Sequence, residues 1–356
     1  MKAGVDLQAL AAEIERQRNT KRDFKASTSE LTLIDETEDA KGALALKING
    51  HGTFGVTELC HDQIAAHHGI PAKYYDKMRH EAPELLVRNV NHWFDATKDT
   101  RMLRTLDGRA RAFLSNRYRS IDNDDVATAV LPMFLEQSDL GLKLESCQVT
   151  ETRLYIKAVS ERIVGKVVGD VVQSGICITN SEVGLHAFKI EPLVYVLRCT
   201  NGMVLNDARM RRYHVGRRTE ELETAVEVFA DDTRKADDQA LMLKMRDVVK
   251  ACFDQVKFNE MTRGLEIVAG NKLQRNLVDT ADKVVEVFQI ADRHKDGILA
   301  QLAGHAKTRW GLSNALTAYA QDDALDYDEA SRFEELGGEV MTLSNTKWEE
   351  VAGVAA

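Results

Sequence analysis

Hydrophobic residues change their spacing twice along the chain, and each change predicts a different kind of element. Leu7, Leu10, Ala11 and Ile14 recur at three- and four-residue intervals, predicting a helix from Asp6 to about Gln17. The basic, polar run RQRNTKRDFKASTSE that follows reads as a loop before a strand at Leu31–Ile34. Ala43–Ile48 and Gly52–Val56 predict a hairpin across Asn49-Gly50, a pair suited to the left-handed positions of a tight turn. Helices are expected at Glu58–His68 and Ala72–Glu81, the second opened by Pro71.

From about Thr100 to Val204 the period shortens to two. In Thr152–Val159, Leu154, Ile156 and Ala158 alternate with Arg153, Tyr155 and Lys157, as in a strand with one buried face. Gly165–Gly175 reads as strand and turn. Asp170–Asn180 and Leu185–Cys199 are longer β-rich runs joined by NSEVG, and Asn201-Gly202 marks the next turn. Between the strands, Asp124–Gln137 predicts a helix with Val126, Val130, Leu131 and Phe134 inward.

Beyond Arg218 the spacing is helical. Leu222, Val226 and Phe229 lead into Leu241–Val256, followed by amphipathic segments at Val278–Phe288 and Leu312–Ala320. The last helix starts with Asp326 and Glu329 in capping-box spacing and is expected to stop at Gly337-Gly338. The pattern predicts an α+β fold: a central mostly antiparallel sheet, flanking helices and a helical C-terminal third. Three segments are expected: residues 1–40 as helix and loop, 41–218 as the mixed core, and 219–356 as a helical region that packs on the core or mediates a homo-oligomer.

Composition narrows the class. With 356 residues and 44% apolar content, the chain can fill a sizeable core. Cys60, Cys147, Cys177, Cys199 and Cys252 are scattered and form no C-x-x-C pair, which excludes a disulfide framework or zinc ribbon and suggests a reducing compartment. Asp6, Glu13 and Glu15 interrupt any apolar stretch near the start, so the expectation is a cytoplasmic protein without membrane contact.

Charge is sorted by position. The chain carries 47 Lys+Arg against 56 Asp+Glu, a net −9, yet Arg101–Arg119 and Ala208–Arg218 are each +5. As a strand, Arg109–Arg119 places Arg109, Arg111, Phe113, Arg117 and Arg119 on one face, where guanidinium groups would track phosphates and the aromatic would stack a base. Arg211, Arg212, Arg217 and Arg218 would clamp the same strand of nucleic acid. The structural alternative is that these arginines pair with carboxylates, among them the DNDD run Asp122–Asp125.

Other chemistry has weaker support. The DNDD run, with Glu182 or Asp170, is a candidate Mg²⁺ site of a nuclease, although acids at a helix start are the much better account of it. His51, His61, His67, His68, His80 and Cys60 match no metal-ligand spacing. Cys199, near His186 and His214 in sequence, reads as an inert thiol at a strand end. G-x-x-x-x-G-K-[ST], G-x-G-x-x-G and G-x-S-x-G are absent.

The blocks HHGIPAKYYDKM (His67–Met78), ARAFLSNRYRSIDN (Ala110–Asn123), GDVVQSGICITNSEVG (Gly169–Gly184), LRCTNGM (Leu197–Met203), YHVGRR (Tyr213–Arg218) and WGLSNALTAYA (Trp310–Ala320) resemble the phage/plasmid-like protein family, domain of unknown function 932. The resemblance covers about residues 45 to 345. It implies a mobile element and proximity to DNA metabolism, and it supplies no catalytic residues. Together the residues and the resemblance lead to one expectation: a single-stranded-DNA-binding protein, an annealing or recombination accessory, needing no cofactor or metal. The alternatives are a metal-dependent nuclease using Asp122, Asp124 and Asp125, and a non-enzymatic partner-binding protein.

Overall fold

The computed structural model describes residues 1–35, 44–116, 118, 121–136, 140–186, 188–205 and 231–353. They form an α+β structure with a six-stranded and a five-stranded sheet. The chain divides into two units, neither continuous in sequence: Ala12–Asp124 with Ser181–His186, and Met1–Ala11 with Asp125–Asn180 and Ala187–Ala356. Two of the expected linear segments, 1–40 and 41–218, are split between the units, whereas 219–356 lies wholly within the second.

In the first unit, the longer part of helix α1 (Leu7–Thr20) feeds strand β1 (Arg22–Ser27), followed by β2 (Leu31–Asp35), β3 (Leu44–Ile48) and β4 (Gly52–Val56). Three helices follow, α2 (Glu58–His67), α3 (Ala72–Glu81) and α4 (Pro83–Thr97), and then β5 (Thr100–Leu106) and β6 (Arg109–Ser115). The sheet order is β1-β5-β6-β4-β3-β2, antiparallel except for β4 beside β6. The Asn49-Gly50 hairpin forms as expected, with Gly50 at φ +76°. Strand β1 lies in the stretch expected to be a loop. Its RDFKAS sequence lacks apolar alternation because it is an edge strand held to β5 by backbone pairing, from Arg22↔Thr105 to Ser27↔Thr100. Leu33, Leu46, Ile64, Val90, Phe94, Leu103 and Phe113 form the core.

The second unit is built on an antiparallel sheet ordered β11-β10-β9-β8-β7: β7 (Leu142–Val149), β8 (Leu154–Val167), β9 (Asp170–Asn180), β10 (Lys189–Val196) and β11 (Asn201–Val204). Strands β8 and β9 turn at Val168 and Gly169, at φ 51° and 84°. Its helices are most of α5 (Asn123–Glu136), then α6 (Asp231–Cys252), α7 (Gln255–Ala269), α8 (Leu277–Val287), α9 (Lys295–Ala303), α10 (Arg309–Tyr319), α11 (Tyr327–Thr342) and α12 (Asn345–Ala352). No described helix is long and apolar enough to cross a membrane.

Three local expectations change here. Tyr155 and Lys157, expected on a solvent face, are fully buried, because α11 covers that side: Lys157 Nζ donates to Glu334 Oε2 at 2.7 Å and Ser331 Oγ at 3.0 Å. Asn201-Gly202 is strand rather than turn, and the chain reverses just before it, where Thr200 has φ 54°. Gly337-Gly338 does not end α11, which does begin with the Asp326/Glu329 capping box. A Cβ on Gly338 would lie 1.8 Å from the Val204 carbonyl oxygen, so the glycine is there to let α11 press against β11.

Candidate functional site

Strand pairing in the first unit assembles a group of charged side chains. Arg104 lies directly opposite Asp23 in the β1–β5 register, so their side chains share a face, and Arg104 Nε donates to Asp23 Oδ1 at 2.9 Å. The other arms of this fully buried guanidinium reach Asp122 Oδ1 at 2.7 Å and the Glu182 carbonyl at 3.0 Å. On the adjacent strand, Arg111 Nη2 donates to Glu182 Oε2. Glu182 is 3% exposed and also accepts from the Asn123 backbone N–H at 2.8 Å, which ties it to the start of α5.

Lys21, between α1 and β1, completes the centre. Its Nζ lies 2.7 Å from Asp122 Oδ2, 3.0 Å from Asp124 Oδ1 and 3.4 Å from Glu182 Oε1. The three carboxylates present ligand atoms within 4.8 Å of one another. Burial works against the Lys21 ammonium, yet the hydrogen bond to Asp122 and the charge of Glu182 outweigh it and raise its pKa. For Asp122 burial acts upward, and Arg104 and Lys21 overcome it to hold the carboxyl below its ordinary value.

Four carboxylates (Asp23, Asp122, Asp124, Glu182) thus face three close cations, with the exposed Arg18 3.6 Å from Asp124. Desolvating this many charges is an inefficient way to gain stability, and such clusters concentrate at sites of chemistry. Glu182 is nearly sealed, whereas the side chains of Asp122 and Asp124 are 25% and 23% exposed. Solvent therefore reaches two of the three side chains.

The arginine stripe is not an open face where it is described. Only Arg109 and Ser115 of β6 are exposed. Arg111 is in the buried pair with Glu182, and Phe113 is 1% exposed between Phe94 and His67, so it is closed to stacking on a base. The reason is position: β6 lies inside the sheet, with Phe113 in the main core on one side and Ala112 and Leu114 packed with Val183 on the other. Arg117, Arg119, Arg211, Arg212, Arg217 and Arg218 lie outside the described residues.

The DNDD run starts a helix, α5, as expected, and it brings Asp122 and Asp124 to Glu182. Asp125 is exposed and outside the converging set, and Asp170 instead accepts from Trp310 Nε1 at 2.8 Å. Of the histidines, His61 is buried against the Tyr75 hydroxyl at 2.9 Å, and His67 faces Asp99 at 3.3 Å. Sequence reasoning missed Lys21, Asp23 and Arg104 as parts of one centre. The signal for Arg104 is the excess of arginine in Arg101–Arg119 followed at once by DNDD, opposite charges adjacent in sequence; Lys21 and Asp23 have no such signal.

Fold and site together describe a two-sheet α+β protein with a densely charged, partly open carboxylate centre. The family described as Domain of unknown function (DUF932) matches residues 112–347, more than half of the chain, and the protein belongs to that family. The matched span contains Asp122, Asp124 and Glu182, whereas Lys21, Asp23, Arg104 and Arg111 precede it. No curated protein and no solved structure matches the chain.

Proposed function

We infer that this protein cleaves phosphodiester bonds in DNA using a divalent cation held by Asp122, Asp124 and Glu182. The observation carrying this reading is the convergence of three carboxylates, from two stretches far apart in sequence, on a single ammonium. Carboxylate oxygens are hard ligands suited to Mg²⁺ or Mn²⁺. The cation would replace the Lys21 ammonium as counter-charge, leaving that group on its flexible stem free to face a phosphate oxygen. When bound, the cation would make a water molecule more acidic and so a better nucleophile toward phosphorus. One ester bond would break, giving a phosphate monoester and a free hydroxyl. Arg104 and Arg111 would fix Asp122 and Glu182 in place. This reading revises the expectation that no metal is needed.

The test is incubation of end-labelled single- and double-stranded DNA with Mg²⁺ or Mn²⁺. Cleavage is expected with the wild-type chain, abolished by chelator and reduced at least ~100-fold in Asp124→Asn. Intact strands under every metal condition would discard the reading.

A second reading, single-stranded-DNA binding without cleavage, draws support from the charge sorting: five arginines and no acid between Ala208 and Arg218 in a chain of net charge −9. Arg117, Arg119, Arg211, Arg212, Arg217 and Arg218 would carry it, with Arg109. Affinity should then fall with salt at a log–log slope of about −0.7 per phosphate neutralised. Gel retardation at low salt without cleavage selects this reading, and no retardation removes it.

A further inference from the structure

Helix α7 carries the two most exposed large apolar side chains of the described residues, Ile267 at 80% and Val256 at 66%. Its other side is ordinary core: Phe258, Thr262, Leu265 and Ala269 are buried, and the helix packs along β8. Val256, Glu260, Arg263 and Ile267 follow at intervals of four, three and four, which places them in one outward stripe. All four are exposed, and neither Glu260 nor Arg263 has an ion-pair partner among the described residues.

The order of the stripe is apolar, acidic, basic, apolar, and it complements itself when reversed. Two copies of α7 placed antiparallel about a two-fold axis between Met261 and Thr262 would match Val256 with Ile267 and Glu260 with Arg263, each contact occurring twice. Gly264 adds an independent observation. It sits mid-helix beside Glu260 and Ile267, where glycine costs about 1 kcal/mol relative to alanine, and a Cβ built there meets nothing within 4 Å. Nothing among the described residues requires glycine at this position, whereas close approach of a second helix would. The turn of the β8–β9 hairpin lies next to the helix: Val168, 52% exposed, donates its N–H to Glu266.

We propose that the outward stripe of α7 is a self-association surface whose occupant is the same stripe of a second copy, giving a two-fold homodimer. The proposal is independent of the nuclease and DNA-binding readings. The stripe is about 16 Å long at 1.5 Å per residue, so the contact is small and the dimer exchanges in the micromolar range.

Sedimentation velocity of the full chain over a concentration series tests it. The wild type should show a monomer–dimer equilibrium. Ile267→Asp should be monomeric at about 100 µM. Glu260→Arg should weaken the dimer about tenfold by opposing two arginines, and Glu260→Arg with Arg263→Glu should restore it. A wild type that stays monomeric at about 100 µM, or a charge swap that fails to rescue, overturns the proposal.

Orientation is tested by disulfide trapping in a Cys199→Ser background, the remaining cysteines being buried. A mixture of Val256→Cys and Ile267→Cys chains should crosslink, and neither variant alone should. Equal crosslinking of either variant alone contradicts the antiparallel pairing. Both positions are on the surface, so loss of folding does not obscure the result.

Discussion

Lys157 and Lys21, one in each unit, sit against carboxylates in contrasting ways. Lys157 and Glu334 are both fully buried, matched one to one, with Ser331 taking a further proton of the ammonium and the Tyr327 ring 4.7 Å from Nζ. Lys21 faces three carboxylates, its side chain is 14% exposed, and two of its partners are about a quarter exposed. The first arrangement is complete and closed. In the second, the ammonium is one of several cations that could satisfy the same oxygens, and solvent can deliver another. Burial alone does not separate a structural ion pair from a candidate site; the ratio of acids to bases and the access of solvent do.

The largest expected effect comes from breaking the closed pair. Lys157→Met strands the Glu334 charge and should cost about 3–5 kcal/mol in denaturant unfolding, while adding Glu334→Leu should recover most of it. A single variant within about 1 kcal/mol of wild type would mean that the pair is not a structural lock.

Next comes a pH effect beside that pair. Lys157, Cys177 and Glu191 are cross-strand neighbours on β8, β9 and β10. Burial, acting more strongly than the Lys189 charge that opposes it, pushes the Glu191 carboxyl up to about 7 from 4.5, and Glu335 and Glu339 of α11 add to the rise. The folded state therefore holds a proton that the unfolded chain releases, so this contribution is fully present below pH 4.5 and is lost as pH rises through 7. The stability of wild type relative to Glu191→Gln should fall by up to about 3 kcal/mol across that window. A flat difference would show that the carboxyl titrates normally.

The smallest effect belongs to the open centre. Asp124 is partly exposed, so Asp124→Asn should change stability by less than about 1 kcal/mol in the absence of divalent cation. A cost like that of Lys157→Met would reassign the Lys21 centre to architecture.

Much of the fold was legible in the sequence. The hairpin at Asn49-Gly50, helices α2 and α3, the start of α5 and the Asp326 capping box follow from local signals, because turn geometry, caps and helical periodicity act over a few residues. Strand β1 was hidden because an edge strand needs backbone pairing rather than apolar alternation. Lys157 misled because alternation records side-chain type, and a buried ion pair puts a polar residue where an apolar one is expected. Gly338 misled because a glycine needed for close approach of α11 to β11 looks the same in sequence as one that ends a helix. Half of the candidate site was visible: DNDD and Glu182 were named together, and pairing of stripe arginines with carboxylates was an explicit alternative. Lys21 and Asp23 were not visible: the β1–β5 register sets Asp23 against Arg104, and only the tertiary fold brings Lys21 to Asp122, Asp124 and Glu182.

The central claim is that the Asp122, Asp124 and Glu182 carboxylates accept a divalent cation in exchange for the Lys21 ammonium. Calorimetric titration with Mn²⁺ tests it most directly, on wild type, Asp124→Asn and Lys21→Met. The account predicts one Mn²⁺ per wild-type chain, binding lost in Asp124→Asn, and tighter binding in Lys21→Met because the competing ammonium is gone. Absence of Mn²⁺ binding in both wild type and Lys21→Met, or binding untouched by Asp124→Asn, would contradict it.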